Sequence, residues 1–167
     1  MGGADRDRSA PTLTARPRVA GESRLWQIVF AIAYRFIRLL DPIIRAAWRA
    51  RLPGAERSID LIVAGRVTGR VRHTLLTLLT EDERWYVGHP NGEAGWTRNL
   101  EAARGAEVVT ADGDRHPVSQ IRLHDGPERD RVIGLTPVQQ PFPANLLYGL
   151  AQRHIQAVGA YFRLERR

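Results

Sequence analysis

The chain has 167 residues, 43% of them hydrophobic, which is enough for one domain with its own core. It contains no cysteine, so a disulfide framework is excluded, and a reducing compartment agrees with that. Every cationic side chain is arginine, and residues 1–52 hold ten of them against Asp5, Asp7, Glu22 and Asp41, while the remainder is close to neutral. A nucleic-acid-binding domain would carry its basic face on the folded body, so nucleic acid is not expected as a partner, and the excess points to an arm or surface helix.

Residues 1–22 are rich in Gly, Ala, Pro, Thr and Arg without apolar periodicity and read as a disordered tail. No apolar stretch with a small-residue cleavage site lies near the start, so export is not expected and the cytoplasm is the expected location. Ser23 is a candidate N-cap for a helix over Arg24–Leu40, and Asp41-Pro42 reads as the start of a second helix after a bend. At about 100° per residue, Arg24, Gln27, Arg35, Arg38, Asp41, Arg45 and Arg49 form one polar stripe. Leu25, Ile28, Val29, Ile32, Phe36, Leu39, Leu40, Ile43, Ile44 and Ala47 cover the other side.

The uncharged run Leu25–Tyr34 is about half of the ~20 residues needed to span a bilayer. Residues 24–52 therefore read in two ways. They form an amphipathic arm lying on an anionic membrane, at the inner face of the plasma membrane, or a helix whose apolar face covers the folded body. Pro53-Gly54 ends the arm, which divides the chain into a tail (1–22), an arm (23–54) and a body (55–167).

In the body, Ile59–Ala64 reads as a strand, Gly65–Val71 as a tight turn, Arg72–Thr80 as a second strand and Trp85–Gly88 as a third. A loop, His89–Gly95, leads to a short helix over Trp96–Arg104. A hairpin follows over Glu107–Ala111 and Arg115–Leu123. Asp125 reads as the cap of a helix to about Leu135. Pro137–Pro143 is a loop, Ala144–Val158 a helix and Ala160–Leu164 a last strand. Five or six short strands with small helices outside give an α+β fold, mainly antiparallel, of the closed or split β-barrel kind.

The chemistry concentrates in Gly65-Arg66-Val67-Thr68-Gly69-Arg70-Val71-Arg72-His73-Thr74. Two glycines four apart let the chain bend, and three arginines supply planar cationic forks, a combination suited to gripping an anion. The five histidines have no metal-ligand spacing, and no serine sits in a Gly-x-Ser-x-Gly elbow, so neither a metal site nor serine hydrolysis is expected. The glycine spacing is neither a dinucleotide fingerprint nor a P-loop, since a strand follows it.

With Trp85-Tyr86-Val87-Gly88 and Trp96-Thr97-Arg98-Asn99-Leu100 downstream, this segment resembles the deazaflavin (F420)-dependent nitroreductase family from about Ile59 onward. Arg66, Thr68, Gly69 and Arg72 match the family's turn, and Val67 stands where it usually has lysine. The resemblance implies a split barrel whose mouth takes a flat ring. It also implies coenzyme F420, with FMN as the alternative, and hydride transfer to a small apolar acceptor of quinone, nitro or enone type.

Residues for the cofactor's phosphate end are then Arg66, Thr68, Gly69, Arg70 and Arg72. His73, Thr74 and Asn91 are further cofactor candidates. Trp96 either flanks the ring or anchors its helix, and Asn99 fixes the nearby loop through backbone hydrogen bonds. Tyr148 is the candidate catalytic hydroxyl or else one polar edge of a packed helix, and Gln139 and Gln140 are candidates for a lid. A non-catalytic membrane- or lipid-binding barrel is the competing class. Nothing in the sequence sets the oligomeric state.

Overall fold

Alternation along strand β1 (Ser58–Ala64) sets the architecture. Ile59, Leu61 and Val63 point to one face and are almost fully buried, whereas Asp60 and Ile62 point to the other. In the computed structural model, which describes residues 23–51 and 56–167, β1 pairs antiparallel with β2 (Val71–Thr77) and β5 (Ala106–Val109). The sheet continues through β6 (Arg115–Arg122), β7 (Ala160–Arg166) and β4 (Arg84–His89) to β3 (Leu79–Glu81), in the order β2-β1-β5-β6-β7-β4-β3. Its two end strands are joined through Leu78 alone, so the sheet curls until β2 and β3 are neighbours in the chain. The result is a seven-stranded split barrel of the α+β class.

The corner at Leu78 corrects the single strand expected over Arg72–Thr80. The Leu78 N–H donates to the Arg57 carbonyl at 2.7 Å, and the chain there leaves β1 and takes up β4. Inside the barrel, Ile59, Leu61, Val63, Val87, Leu100, Val108, Val118, Phe162 and Leu164 form the core. Outside it, Leu79, Tyr86 and Tyr161 build a second apolar layer with Phe30, Val132, Ile133 and Ile155.

Among the described residues, five helices cover this frame. Helix α1 (Arg24–Arg49) is unbroken, against the bend expected at Asp41-Pro42, because its C-terminal half is pinned. Arg45 pairs with Asp41 one turn back and with Asp60 on β1, and the Trp48 indole N–H donates to the Ser58 carbonyl at 2.8 Å. These anchors outweigh the backbone hydrogen bond that Pro42 removes. Ser23 is extended ahead of α1 and makes no side-chain cap.

Helix α2 (Gly95–Ala102) follows the loop after β4. Helix α3 (Pro127–Gln139) is capped by Gly126 instead of Asp125 and runs on past Pro137. The helix expected over Ala144–Val158 is two, α4 (Ala144–Leu150) and α5 (Gln152–Val158), parted at Ala151. The expected tail over 1–22 and the arm's end at Pro53-Gly54 lie outside the described residues.

Candidate functional site

The turn between β1 and β2 is built by its glycines. The Gly65 N–H donates to the Arg70 carbonyl at 2.8 Å, the Gly69 N–H donates to the Gly65 carbonyl at 2.7 Å, and Gly69 takes the left-handed φ of 67°. A Cβ at Gly65 would lie 3.1 Å from the Arg70 carbonyl oxygen and 3.6 Å from both Arg72 Nε and Thr68 Oγ1, so these groups close around a bare Cα. Helix α2 clips the turn from the side. Asn99 Oδ1 accepts the Arg66 backbone N–H at 3.3 Å and its guanidinium at 3.2 Å. Arg66, Arg70 and Arg72 are exposed and take part in none of the ion pairs among the described residues, where nine other arginine–carboxylate contacts form. Their charge is free for an external anion.

Register divides the remaining candidates on β2. Arg72 lies opposite Val63 and Thr74 opposite Leu61, on the barrel-side face, and Thr74 is half-buried. His73 lies opposite Ile62 on the outer face, where its Nδ1 is 2.7 Å from Asp60 Oδ2 while Arg45 reaches Asp60 Oδ1 at 3.3 Å. The structure thus brings Arg66, Thr68, Gly69, Arg70 and Arg72 together and turns His73 away, toward α1.

Trp96 opens α2 with its ring half-buried, 6.3 Å from both His89 and Phe162. His89 stacks on Tyr34 at 4.7 Å and donates from Nδ1 to the Gly92 carbonyl, and burial lowers its pKa, so the neutral imidazole is favoured. Asn91 is directed elsewhere. Its amide nitrogen donates to the Gln27 carbonyl, and its Oδ1 accepts from His154 Nε2 at 3.0 Å. Tyr148 meets Tyr34 hydroxyl to hydroxyl at 3.1 Å and packs edge-on against Phe30. Burial pushes the Tyr148 phenol well above its ordinary pKa, and the neighbouring Tyr34 adds to that, so it is neutral.

The two glutamines expected in a lid are tethers. Gln139 exchanges hydrogen bonds with both backbone groups of Thr80, at 2.9 and 2.8 Å, and Gln140 Oε1 accepts from the Thr77 hydroxyl at 3.0 Å. They fasten α3 to the barrel corner. Two surface cavities lie elsewhere: one of about 560 Å³ between the start of α1 and α4–α5, the other of about 270 Å³ beside Trp85 and Arg163. No residue of the β1–β2 turn lines either. The barrel interior is filled by its own side chains. Among the described residues, no cluster of three or more His, Asp or Glu forms a metal site.

The donor set fits the anionic end of a phosphorylated cofactor, since it offers a hydroxyl and three guanidiniums without carboxylate partners, one of them already steadied by Asn99. Sequence reasoning missed His89, whose contact with Trp96 depends on how the loop after β4 folds back. Asn99, expected to fix the nearby loop, bonds instead to Arg66 in the β1–β2 turn.

No protein-family model matches the sequence, and no curated protein matches it. Solved structures do. An F420-H2-dependent reductase, FDR-A, aligns with a TM-score of 0.53 over 65% of this chain and 94% of its own, at 18% identity. HutZ, described as the heme storage protein of Vibrio cholerae, aligns with a TM-score of 0.51 over 77% of this chain and 90% of its own, at 17% identity. The chain has the split-barrel fold that an F420-dependent reductase and a haem-storage protein share, so the fold alone does not select the cofactor.

Proposed function

We propose that the protein is an F420-dependent oxidoreductase that passes hydride between the reduced deazaflavin and a small apolar acceptor of quinone, nitro or enone type. The observation that carries this reading is the β1–β2 turn. Three exposed arginines without carboxylate partners surround an open glycine bend, and Asn99 clips that bend from α2, in a fold shared with an F420-H2-dependent reductase.

When bound, the deazaflavin supplies the hydride chemistry, and the chain's task is to hold and shield it. Arg66, Arg70 and Arg72 neutralise the phosphate end, aided by the Thr68 hydroxyl. The Asn99 clip holds Arg66 in place before the ligand arrives, which lowers the ordering cost of binding. Trp96 offers an aromatic wall, with the neutral His89 beside it. No proton step is assigned to Tyr148, because its hydroxyl is committed to Tyr34.

Titrating the purified chain into F420 and following the cofactor's fluorescence tests the reading. We expect saturable binding that weakens about 10- to 100-fold for each of Arg66→Ala and Arg72→Ala, the range of one charge-assisted hydrogen bond. Binding of FMN in place of F420, with the same arginine dependence, would transfer the reading to a flavin enzyme. Binding of neither would leave a non-catalytic barrel.

A further inference from the structure

We infer that the outward face of α1 docks the protein onto an anionic lipid surface. Leu25, Ile28, Ile32, Phe36, Leu39 and Ile43 recur at three- and four-residue steps, which places them on one line along the helix. All six are between 53% and 72% exposed. Phe30 is the one buried residue of α1, and Asp41, Arg45 and Trp48 occupy the side turned to the sheet. The helix is thus fixed along its inner side and leaves a continuous apolar ridge outside. Helix α4 widens the apolar area, since Leu146 and Leu150 are exposed on the element whose Tyr148 packs against Phe30 and Tyr34.

Charge selects the occupant. Arg24, Arg35 and Arg38 are exposed along one flank of the ridge, and the only acid in the helix, Asp41, is taken by Arg45 at 2.7 Å. Pairing α1 with α1 of a second copy would bring arginines and no free carboxylate to the seam. Lipid phosphates neutralise the same arginines while the ridge sinks into the acyl boundary. No helix among the described residues is long and apolar enough to cross a membrane, so the attachment is peripheral. This inference does not rest on the cofactor assignment.

Flotation of the full chain with phosphatidylcholine vesicles, with and without phosphatidylglycerol, reads it directly. Capture is expected on the anionic vesicles, weakened by salt. Replacing Arg24, Arg35 and Arg38 together by Gln lowers that capture about a hundredfold, from about 1 kcal/mol for each arginine at an anionic surface. The triple variant Ile32→Ser, Phe36→Ser, Leu39→Ser abolishes capture, while its far-ultraviolet circular dichroism and urea midpoint show that it folds.

Equal capture on neutral and anionic vesicles overturns the role given to the arginines. Absence of capture, with a dimer in sedimentation that Phe36→Asp splits, overturns the lipid assignment in favour of a second copy. None of these variants touches the β1–β2 turn, so the F420 titration reports separately on the redox reading.

Discussion

Tyr34 and Tyr148 face each other with hydroxyl oxygens 3.1 Å apart, at the junction of α1 and α4. Phe at position 148 keeps the edge-on ring contact with Phe30, 5.8 Å between centroids, and removes only the oxygen. The Tyr34 hydroxyl is then left in a half-buried site without its partner. An orphaned polar group costs about 1–3 kcal/mol, and partial access to water places this pair near the low end, at about 1 kcal/mol. Tyr34→Phe costs the same by the mirror argument.

The double variant leaves no orphan, so its loss should be no larger than that of one single variant, a coupling of about 1 kcal/mol. Urea unfolding of the four proteins measures the cycle from their midpoints at constant slope. Additive losses would show that the two hydroxyls do not act on each other. The same variants test the role first expected of Tyr148. A structural hydroxyl predicts unchanged F420 affinity and unchanged turnover per folded molecule in Tyr148→Phe, whereas a large drop in turnover alone would restore it to catalysis.

Two further outcomes follow from packing and burial. Gly88→Ala would place a Cβ 2.2 Å from Cε1 of the buried Tyr161 ring, whose hydroxyl is held by Thr136. The expected loss is about 3 kcal/mol, the upper end for overpacking, and smaller in a Tyr161→Leu background; a neutral Gly88→Ala would refute the close approach. Burial holds the His89 pKa below its ordinary value, so between the two values the unfolded chain binds a proton that the folded chain refuses. Its contribution to stability is complete above about pH 6.5 and declines as pH falls below it, and His89→Gln should remove that part of the slope. Glu93 and Glu128 act at lower pH. Burial opposes their ionisation, but hydrogen bonds and charge from Arg122 and Arg163 hold both carboxyls below their usual range, so their stabilisation is lost only as pH falls through it.

The alternation in Ile59–Ala64 and the glycines of the following turn made β1, the turn and β2 readable, because period-two burial and left-handed backbone are local properties of the sequence. The break at Leu78 was not readable. Leu75 to Leu79 is apolar enough for one strand, and only the change of partner from β1 to β4 divides it. Pro42 misled for a related reason, since it removes a hydrogen bond but the contacts of Arg45 and Trp48 with a distant strand restrain the helix around it.

At the site, the arginine turn was legible as a motif. The commitments of its neighbours were not: Asp60 draws His73 outward, and His154 draws Asn91 toward α5. Both are long-range pairings that no spacing rule encodes.

The burial of Phe30 bears on how the protein can be cut. Its ring fills a place among Leu79, Tyr86, Val132, Ile155 and Tyr161, and the backbone about two turns before it is held where Ser23 N–H meets His154 Nδ1. A shortened gene beginning at residue 55 would therefore yield a product with a missing wall, its greasy flank opened to water. Recombinant work on the barrel should carry the first helix along with it.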